Sequence, residues 1–510
     1  MRPEPALRRD LLLIATVGYL AVPNLIFLLG WLRPGWAVVA AASVLASLGL
    51  AWRDAATDAP RLDRRTALAV TLVASAAACA CGLGGLNVQV TDYFKHNLMF
   101  LDLTVEHWPV VYALPDSGDA LLCYYIAYYL PASLVGKLLG AGSLDMASLA
   151  WGLLGVSLAF GWIARLGRPS PLAVLVLFTL VDGFAWLPGF YPLAQRLGVL
   201  EPTAAAMQWP SAVFSDRFWS FGGSDTRLLF PGQLNQLLWT PQHALPGWLA
   251  TACVLDALER RRGARHLLTA HALTLLWSPF VAVGLIPFTA LALGRERPHR
   301  FVAAALLAAL VALPIGLYFL AHLPVEHAGW LFSAFAGWQD WLKYLGFLVL
   351  SIGVWWRFLA LARRAGGFPG DEQWALVNLS GLTLVAITFL YVGLNNDWVM
   401  RVGLPALVVL HLTVARAAVT VWRSTPTRIG RVALALLLLA GAERSAKLWI
   451  LAPLRLLPGQ VIDTPIAEAR TIAPNIASLV EEAFLAAQYL GGADSFFARH
   501  LMRRAPTPRE

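Results

Sequence analysis

Apolar stretches of about 20 residues, the length a helix needs to cross a bilayer, recur along the whole chain, and short arginine-bearing segments separate them. This pattern predicts spans near 11–31, 36–52, 66–86, 146–163, 172–190, 244–258, 301–321, 341–361, 374–393, 403–421 and 432–451. The run 266–293 is interrupted at Trp277-Ser278-Pro279. Proline cannot continue the hydrogen-bond ladder and biases its predecessor away from helix, so this run predicts two short helices. The stretch 121–139 is apolar enough to span, yet counting it would reverse every later segment. Its tyrosines, Tyr124, Tyr125, Tyr128 and Tyr129, with Pro131 and Lys137, suit a helix lying at the interface, where amphipathic rings are favoured. The total is about thirteen spans.

Arginine then sets the orientation. Arg53, Arg61, Arg64 and Arg65 share one loop, and later loops carry Arg165 with Arg168, Arg260 to Arg262 with Arg265, Arg295 with Arg297 and Arg300, Arg363 with Arg364, and Arg416 with Arg423, Arg428 and Arg431. With these loops inside, the N-terminus is cytoplasmic and Asp92 emerges on the outer face. The expected architecture is an all-α polytopic membrane domain over 1–452, with outer-face juxtamembrane helices, a catalytic loop at 87–145, an outer loop at 191–242 and a short outer tail at 453–510. Composition agrees: 58 % of residues are hydrophobic and 14 % charged, where a soluble domain carries roughly a quarter charged. The formal net charge of +9 lies in loops that face anionic lipid, and nucleic acid is excluded as a partner. The four cysteines fall in apolar stretches without a CxxC or Cys/His pattern and read as small fillers. Abundant arginine and alanine point to a GC-rich bacterial genome, hence the inner membrane with the active face periplasmic or extracellular.

The chemistry is concentrated just after the third span. Thr91-Asp92-Tyr93-Phe94-Lys95-His96-Asn97, followed by Asp102, Glu106 and His107, gathers carboxylates, a lysine and two histidines in a chain that is otherwise largely apolar. A carboxylate at a membrane boundary can take a proton from an incoming hydroxyl while Lys95 or His96 neutralises a phosphate leaving group; alternatively Asp92 and Lys95 form only an interfacial ion pair. His96 and Asn97 suit substrate hydrogen bonds. Asp92 and Asp102 could share a divalent ion, which wants several converging oxygens, but along one helix they are too far apart without a turn. No cofactor is otherwise indicated.

A second signal is Asn395-Asn396-Asp397-Trp398-Val399-Met400-Arg401, between two spans on the outer side. A guanidinium matches phosphate oxygens in a bidentate fork, so Asn396, Asp397 and Arg401 are candidates for gripping a lipid phosphate; the bland reading is a snorkelling arginine paired with Asp397. His243, at the head of a span, either donates to a sugar or phosphate or packs as a helix cap. Asp182 reaches the same cavity or bonds a neighbouring helix. Further outer polar residues are Asp216, Arg217, Asp225, Arg227, Gln233, Asn235, Gln236 and Gln242 in one segment, Glu326, His327, Gln339 and Asp340 in another, and Gln488, Tyr489 and Asp494 in the tail.

The acidic residue just outside an early span, the segment Trp108-Pro109-Val110-Val111-Tyr112 and the helix ending Leu134-Val135-Gly136-Lys137-Leu138-Leu139-Gly140 together resemble the first outer loop of GT-C glycosyltransferases. That class includes protein O-mannosyltransferases and lipid A aminoarabinose transferases. The paired helices around Trp277-Ser278-Pro279 resemble a feature of the same class. The resemblance implies transfer of a sugar from a polyprenyl-phosphate donor to a lipid, glycan or protein acceptor, with Asp92 activating the acceptor and Lys95, His96 and Arg401 holding the carrier phosphate. The chain departs from the class in having Asp92-Tyr93 for the usual acidic pair and Leu122-Cys123-Tyr124-Tyr125 where a lysine-proline-proline motif is usual. Soluble nucleotide sugars are disfavoured, since no Gly-rich phosphate loop appears. The competing readings are a flippase of a lipid-linked saccharide, which would carry charges deep in its spans or paired halves, and a non-catalytic envelope scaffold.

Overall fold

Helix accounts for 75 % of the structure, as expected of long leucine-, alanine- and valine-rich runs. A computed structural model of the chain describes residues 8–57, 62–87, 89–114, 118–190, 218–221, 226–260, 265–324, 327–366, 368–393, 395–454, 464–471, 473–479 and 488–504. Most of the expected outer loop 191–242, with Asp216, Arg217 and Asp225, lies outside the described residues, as does Glu326. In chain order the helices are α1 Leu11–Trp31, α2 Pro34–Asp54, α3 Arg64–Ala80, α4 Tyr93–Val105, α5 Leu130–Leu139, α6 Leu144–Leu166, α7 Pro171–Leu180, α8 Gln233–Trp239, α9 Pro241–Arg260, α10 Arg265–Trp277, α11 Pro279–Leu293 and α12 Val302–Phe319. They continue with α13 Trp338–Gly366, α14 Asp371–Ile387, α15 Asp397–Val402, α16 Leu404–Ser424, α17 Arg428–Ala440 and α18 Glu443–Leu451.

Among the described residues, six helices are long and apolar enough to cross a membrane: α1, α2, the stretch Ala141–Leu166 that contains α6, α12, α13 and α16. Large apolar side chains face outward on several of them, such as Val38 and Leu45 on α2 and Leu306 and Leu313 on α12. Apolar surface on the outside of a helix bundle is what a hydrocarbon solvent covers. The fold is thus that of a helical protein with membrane-spanning helices; the six correspond to the expected spans 11–31, 36–52, 146–163, 301–321, 341–361 and 403–421.

Several boundaries differ from expectation for identifiable reasons. The run 66–86 is helical only to Ala80, because Gly82, Gly84 and Gly85 adopt positive φ. At Gly84 (φ 64°) an added Cβ would come within 2.5 Å of Leu149 Cβ, so only glycine fits. The run 172–190 is helical only to Leu180; beyond it the Asp182 N–H donates to Gly441 O at 2.8 Å and the Phe184 N–H to Leu350 O at 2.9 Å. Leu350 lies in a π-turn, Val349–Gly353, inside α13, and such a bulge loosens the regular ladder. The run 374–393 ends as helix at Ile387, and Leu390–Val392 pairs as a strand with Ala328–Trp330. The run 432–451 breaks at Gly441, where an added Cβ would lie 2.2 Å from the Trp355 ring.

The largest correction concerns 121–139, which is not one interfacial helix. Gly118–Leu122 is the middle strand of a three-stranded antiparallel sheet, between Val111–Leu114 and Leu490–Gly492. Only the ten residues of α5 are α-helical. Tyr124, Tyr128 and Tyr129 are buried in protein, and the Tyr318 hydroxyl accepts the Tyr124 N–H at 2.9 Å. The break expected at Trp277-Ser278-Pro279 falls there: α10 ends at Trp277, Ser278 caps α11 through the Val281 N–H at 3.1 Å, and Pro279 opens α11.

The chain divides into two compact units, residues 1–166 with 237–325 and 451–510, and residues 167–236 with 326–450. In the first, charges bolt helix ends together: Asp10, the N-cap of α1, takes a bidentate pair of bonds from Arg165 of α6 at 2.9 and 2.6 Å, and Arg165 also meets Asp256 of α9 at 3.3 Å. C-terminal segments belong to this unit. The Arg33 N–H donates to Leu501 O and the Arg503 N–H to Trp31 O, each at 2.8 Å. In the second, α16 packs against α7, α13 and α14.

Candidate functional site

The glycine turn after α3 redirects the chain into α4, with Asp92 as its N-cap residue. The Asp92 carboxylate does not cap the helix through a side-chain bond. It pairs with Lys95 Nζ at 3.0 Å, and the two side chains keep 33 % and 34 % of their surface exposed. An anion at a helix N-terminus is favoured by the backbone dipole, so the carboxylate is stabilised where it stands and stays reachable from outside.

The neighbours of this pair turn inward. His96, 4 % exposed, has Tyr129 Oη on Nδ1 and Trp239 O on Nε2 at 3.1 Å. Asn97 Nδ2 donates to Gln89 Oε1 at 2.9 Å, and Gln89 Nε2 donates to Gly82 O at 3.1 Å, so the chain of amides pins α4 to the glycine turn. The Asn97 carbonyl oxygen is buried without a protein partner. His96 and Asn97 therefore belong to the wall behind Asp92, and the Asp92–Lys95 pair forms the accessible rim.

Asp102, two turns further on, is fully buried. Its carboxylate accepts Tyr112 Oη at 2.8 Å, the Ile476 N–H at 2.8 Å and Arg470 Nη2 at 3.4 Å, and Arg470 also meets Glu106 at 2.6 Å. Burial pushes the Asp102 carboxyl up from the ordinary carboxylate value, against the lowering pull of Ile476, Tyr112 and Arg470. Burial and then the nearby Asp102 charge push the Tyr112 phenol up. With three donors on its two oxygens, Asp102 fastens a C-terminal segment to α4 and does not converge with Asp92 on a shared ion. Among the described residues, no group of three or more His, Cys, Asp or Glu side chains is placed to hold a metal.

His243 sits in the first turn of α9, 2 % exposed, with Nδ1 2.7 Å from Ser278 Oγ and its ring edge-on to Tyr125 at 4.7 Å between centroids. It joins the start of α9 to the break between α10 and α11. Asp92, Lys95, His96, Asn97 and His243 all lie in the first unit.

Asn396, Asp397 and Arg401 lie in the second. Asn396 adopts a left-handed conformation (φ 56°), which asparagine tolerates, and its Oδ1 accepts the Val399 N–H at 3.5 Å while its Nδ2 donates to Arg227 O at 2.9 Å. Arg401, 8 % exposed, lies 3.3 Å from the Asp397 carboxylate and donates to Gln236 Oε1 at 3.4 Å. Gln236 Nε2 in turn donates to Met400 O at 3.1 Å. Asp182 is buried in the same unit, where its Oδ1 accepts the Gly183 N–H at 2.9 Å.

Two residues gain roles that sequence reasoning had not assigned. Gln236 orients Arg401, and its only sequence signal is a polar side chain in the run Gln233-Leu234-Asn235-Gln236. Arg470 clamps Asp102 and Glu106, and nothing local to it indicates partners on α4.

The site and fold together describe a helical membrane protein whose accessible acid–base pair lies at the head of a short buried helix. No protein-family model, curated protein or solved structure matches the chain.

Proposed function

We propose that this chain is a membrane-embedded glycosyltransferase of GT-C type that takes a sugar from a polyprenyl-phosphate donor, with Asp92 as general base. The observation that carries this reading is the Asp92–Lys95 pair, 3.0 Å apart and a third exposed on a helix whose other polar groups are sealed inside. A hydroxyl of the acceptor attacks the anomeric carbon; its proton passes to the Asp92 carboxylate as the new C–O bond forms. The bond from the anomeric carbon to phosphate breaks, and polyprenyl phosphate leaves with the electron pair. Lys95, already at the carboxylate, supplies the positive charge that a phosphate leaving group requires. His96 and Asn97 back the helix that carries the pair, and His243 joins the start of α9 to the break between α10 and α11. Arg401, held by Asp397 and Gln236, serves as a separate phosphate contact. The reading places the protein in a bacterial inner membrane with the Asp92 pair on the periplasmic or extracellular face.

A flippase would need ionisable groups along a mid-membrane path. Three buried charges, Asp10, Arg165 and Asp256, sit at or near the ends of α1, α6 and α9 and form one ion-paired cluster, and His411 inside α16 is engaged with Gln233 at 3.0 Å, which fits bolting better than transport.

The test is turnover by purified protein in detergent across a panel of polyprenyl-phosphate sugars, following released polyprenyl phosphate. Release that depends on an added acceptor supports transfer. Carrier binding without release from any donor would move the flippase reading to first place.

A further inference from the structure

We propose that the arginine-rich end of the second unit is a binding surface for anionic phospholipid headgroups. The inference rests on the membrane-spanning character of the fold and stands apart from the transferase reading.

Three helix ends meet at this surface. Arg363 and Arg364 close α13, Arg423 closes α16, and Arg428 and Arg431 open α17. The Arg416 guanidinium stands 5.4 Å over the Phe368 ring, which brings α16 against the connection between α13 and α14. The segments 363–372 and 416–431 hold six arginines and two carboxylates, Asp371 and Glu372. Arg363 pairs with Asp371, but the excess of positive charge is not neutralised within these segments. Arg423, Arg428 and Arg431 are exposed. The backbone dipole favours Arg363, Arg364 and Arg423 at their helix C-termini, but it opposes Arg428 and Arg431 in the first turn of α17, so helix stability does not account for those two.

Depth in a bilayer does account for them. Aromatic rings lie among the guanidinium groups, with Arg363 5.3 Å from the Trp374 ring and Arg431 5.9 Å from Trp422, itself 45 % exposed. Such amphipathic mixtures occupy the headgroup level. At the other end of the unit, Arg401 is buried against Asp397. Residues 327–356 contain one lysine and no arginine, and they present exposed Trp330, Trp338 and Trp341. The 21 residues of α16 separate the two ends. At 1.5 Å per residue that is about 30 Å, the thickness of the hydrocarbon core. The arginine surface therefore belongs to the opposite membrane face from the Asn396–Arg401 turn at the head of α16.

The experiment compares lipid retention by the full chain in phosphatidylcholine nanodiscs with and without phosphatidylglycerol, counting phosphatidylglycerol that stays bound through purification. Its arms are wild type, the triple variant Arg423→Gln/Arg428→Gln/Arg431→Gln, and Arg499→Gln, an exposed arginine of a C-terminal segment. Wild type should retain phosphatidylglycerol over phosphatidylcholine, the preference should fall with salt, and it should drop roughly fivefold for each arginine removed. Arg499→Gln should leave it unchanged, and all three proteins should melt alike in phosphatidylcholine alone. Equal retention of both lipids by wild type, or an equal loss in Arg499→Gln, would overturn the proposal. So would displacement of the lipid by inorganic phosphate, which would mark a surface for soluble anions.

Discussion

Asp92–Lys95 and Asp397–Arg401 present the same signal in the sequence: an acid at the start of a short helix and a cation one turn later. Their surroundings separate them. The first pair keeps a third of its side-chain surface open, whereas Arg401 is buried and held on Asp397 and Gln236. An exposed pair gains little from its Coulomb attraction, so its partners can be exchanged for a substrate at small cost. A buried guanidinium is fixed by the groups around it and can hold a phosphate in one orientation only. Exposure, which spacing does not reveal, divides an exchangeable ion pair from a fixed one.

The comparison breaks first at the buried charges. Asp102→Ala leaves the Tyr112 hydroxyl and the Ile476 N–H without an acceptor, while Arg470 keeps Glu106, and should cost about 1–3 kcal/mol of stability for each orphaned donor in a detergent melt. A loss below about 1 kcal/mol would show that the C-terminal clasp is not structural. Next, Arg401→Ala should cost about 1.5–3 kcal/mol, the worth of hydrogen bonds to a charged group. Arg401→Lys should recover only part of it, because an ammonium lacks the planar fork.

A smaller effect appears with pH. The Asp102 carboxyl is held above its ordinary value by burial, so as pH falls the folded protein takes up this proton before the unfolded chain does. Its contribution to stability therefore rises as pH falls through the raised value and levels off below the ordinary carboxylate value. The difference in melting temperature between wild type and Asp102→Asn should move in favour of wild type from pH 7 towards pH 4. A flat difference would deny the shift. The smallest expected change is Lys95→Gln, within about 1 kcal/mol in stability; a larger loss would make the pair a structural bolt like Asp397–Arg401.

Much of the helical layout was legible. Spans follow from length and hydropathy, and the break between α10 and α11 follows from Pro279, whose effect on the ladder is local. What escaped depends on distant partners. Gly118–Leu122 pairs with Leu490–Gly492, and nothing within 121–139 signals a strand whose partner lies in the last tenth of the chain. Of the tyrosines there, which look interfacial by composition, Tyr128 and Tyr129 are buried against Phe100 and His96 of α4 and Tyr124 against Tyr489. Helix α7 stops at Leu180 because Asp182 and Phe184 bond to Gly441 and Leu350, contacts that hydropathy cannot register. At the candidate site, the cluster after the third span was visible as an excess of ionisable residues. Its division into an exposed rim, Asp92 and Lys95, and an inner wall, His96 and Asn97, was not. That division follows from which face of α4 packs inward, and over so short a helix the alternation of polar and apolar residues leaves the face undecided.

On the proposed mechanism, the accessible Asp92 carboxylate takes the acceptor's proton. The most direct measurement is polyprenyl-phosphate sugar turnover by wild type beside Asp92→Asn, with carrier binding and melting temperature recorded on the same preparations. Loss of a general base costs about 10²–10⁴-fold, and that drop is expected with binding and melting unchanged. Equal turnover in the two proteins would contradict the account and remove Asp92 from the mechanism.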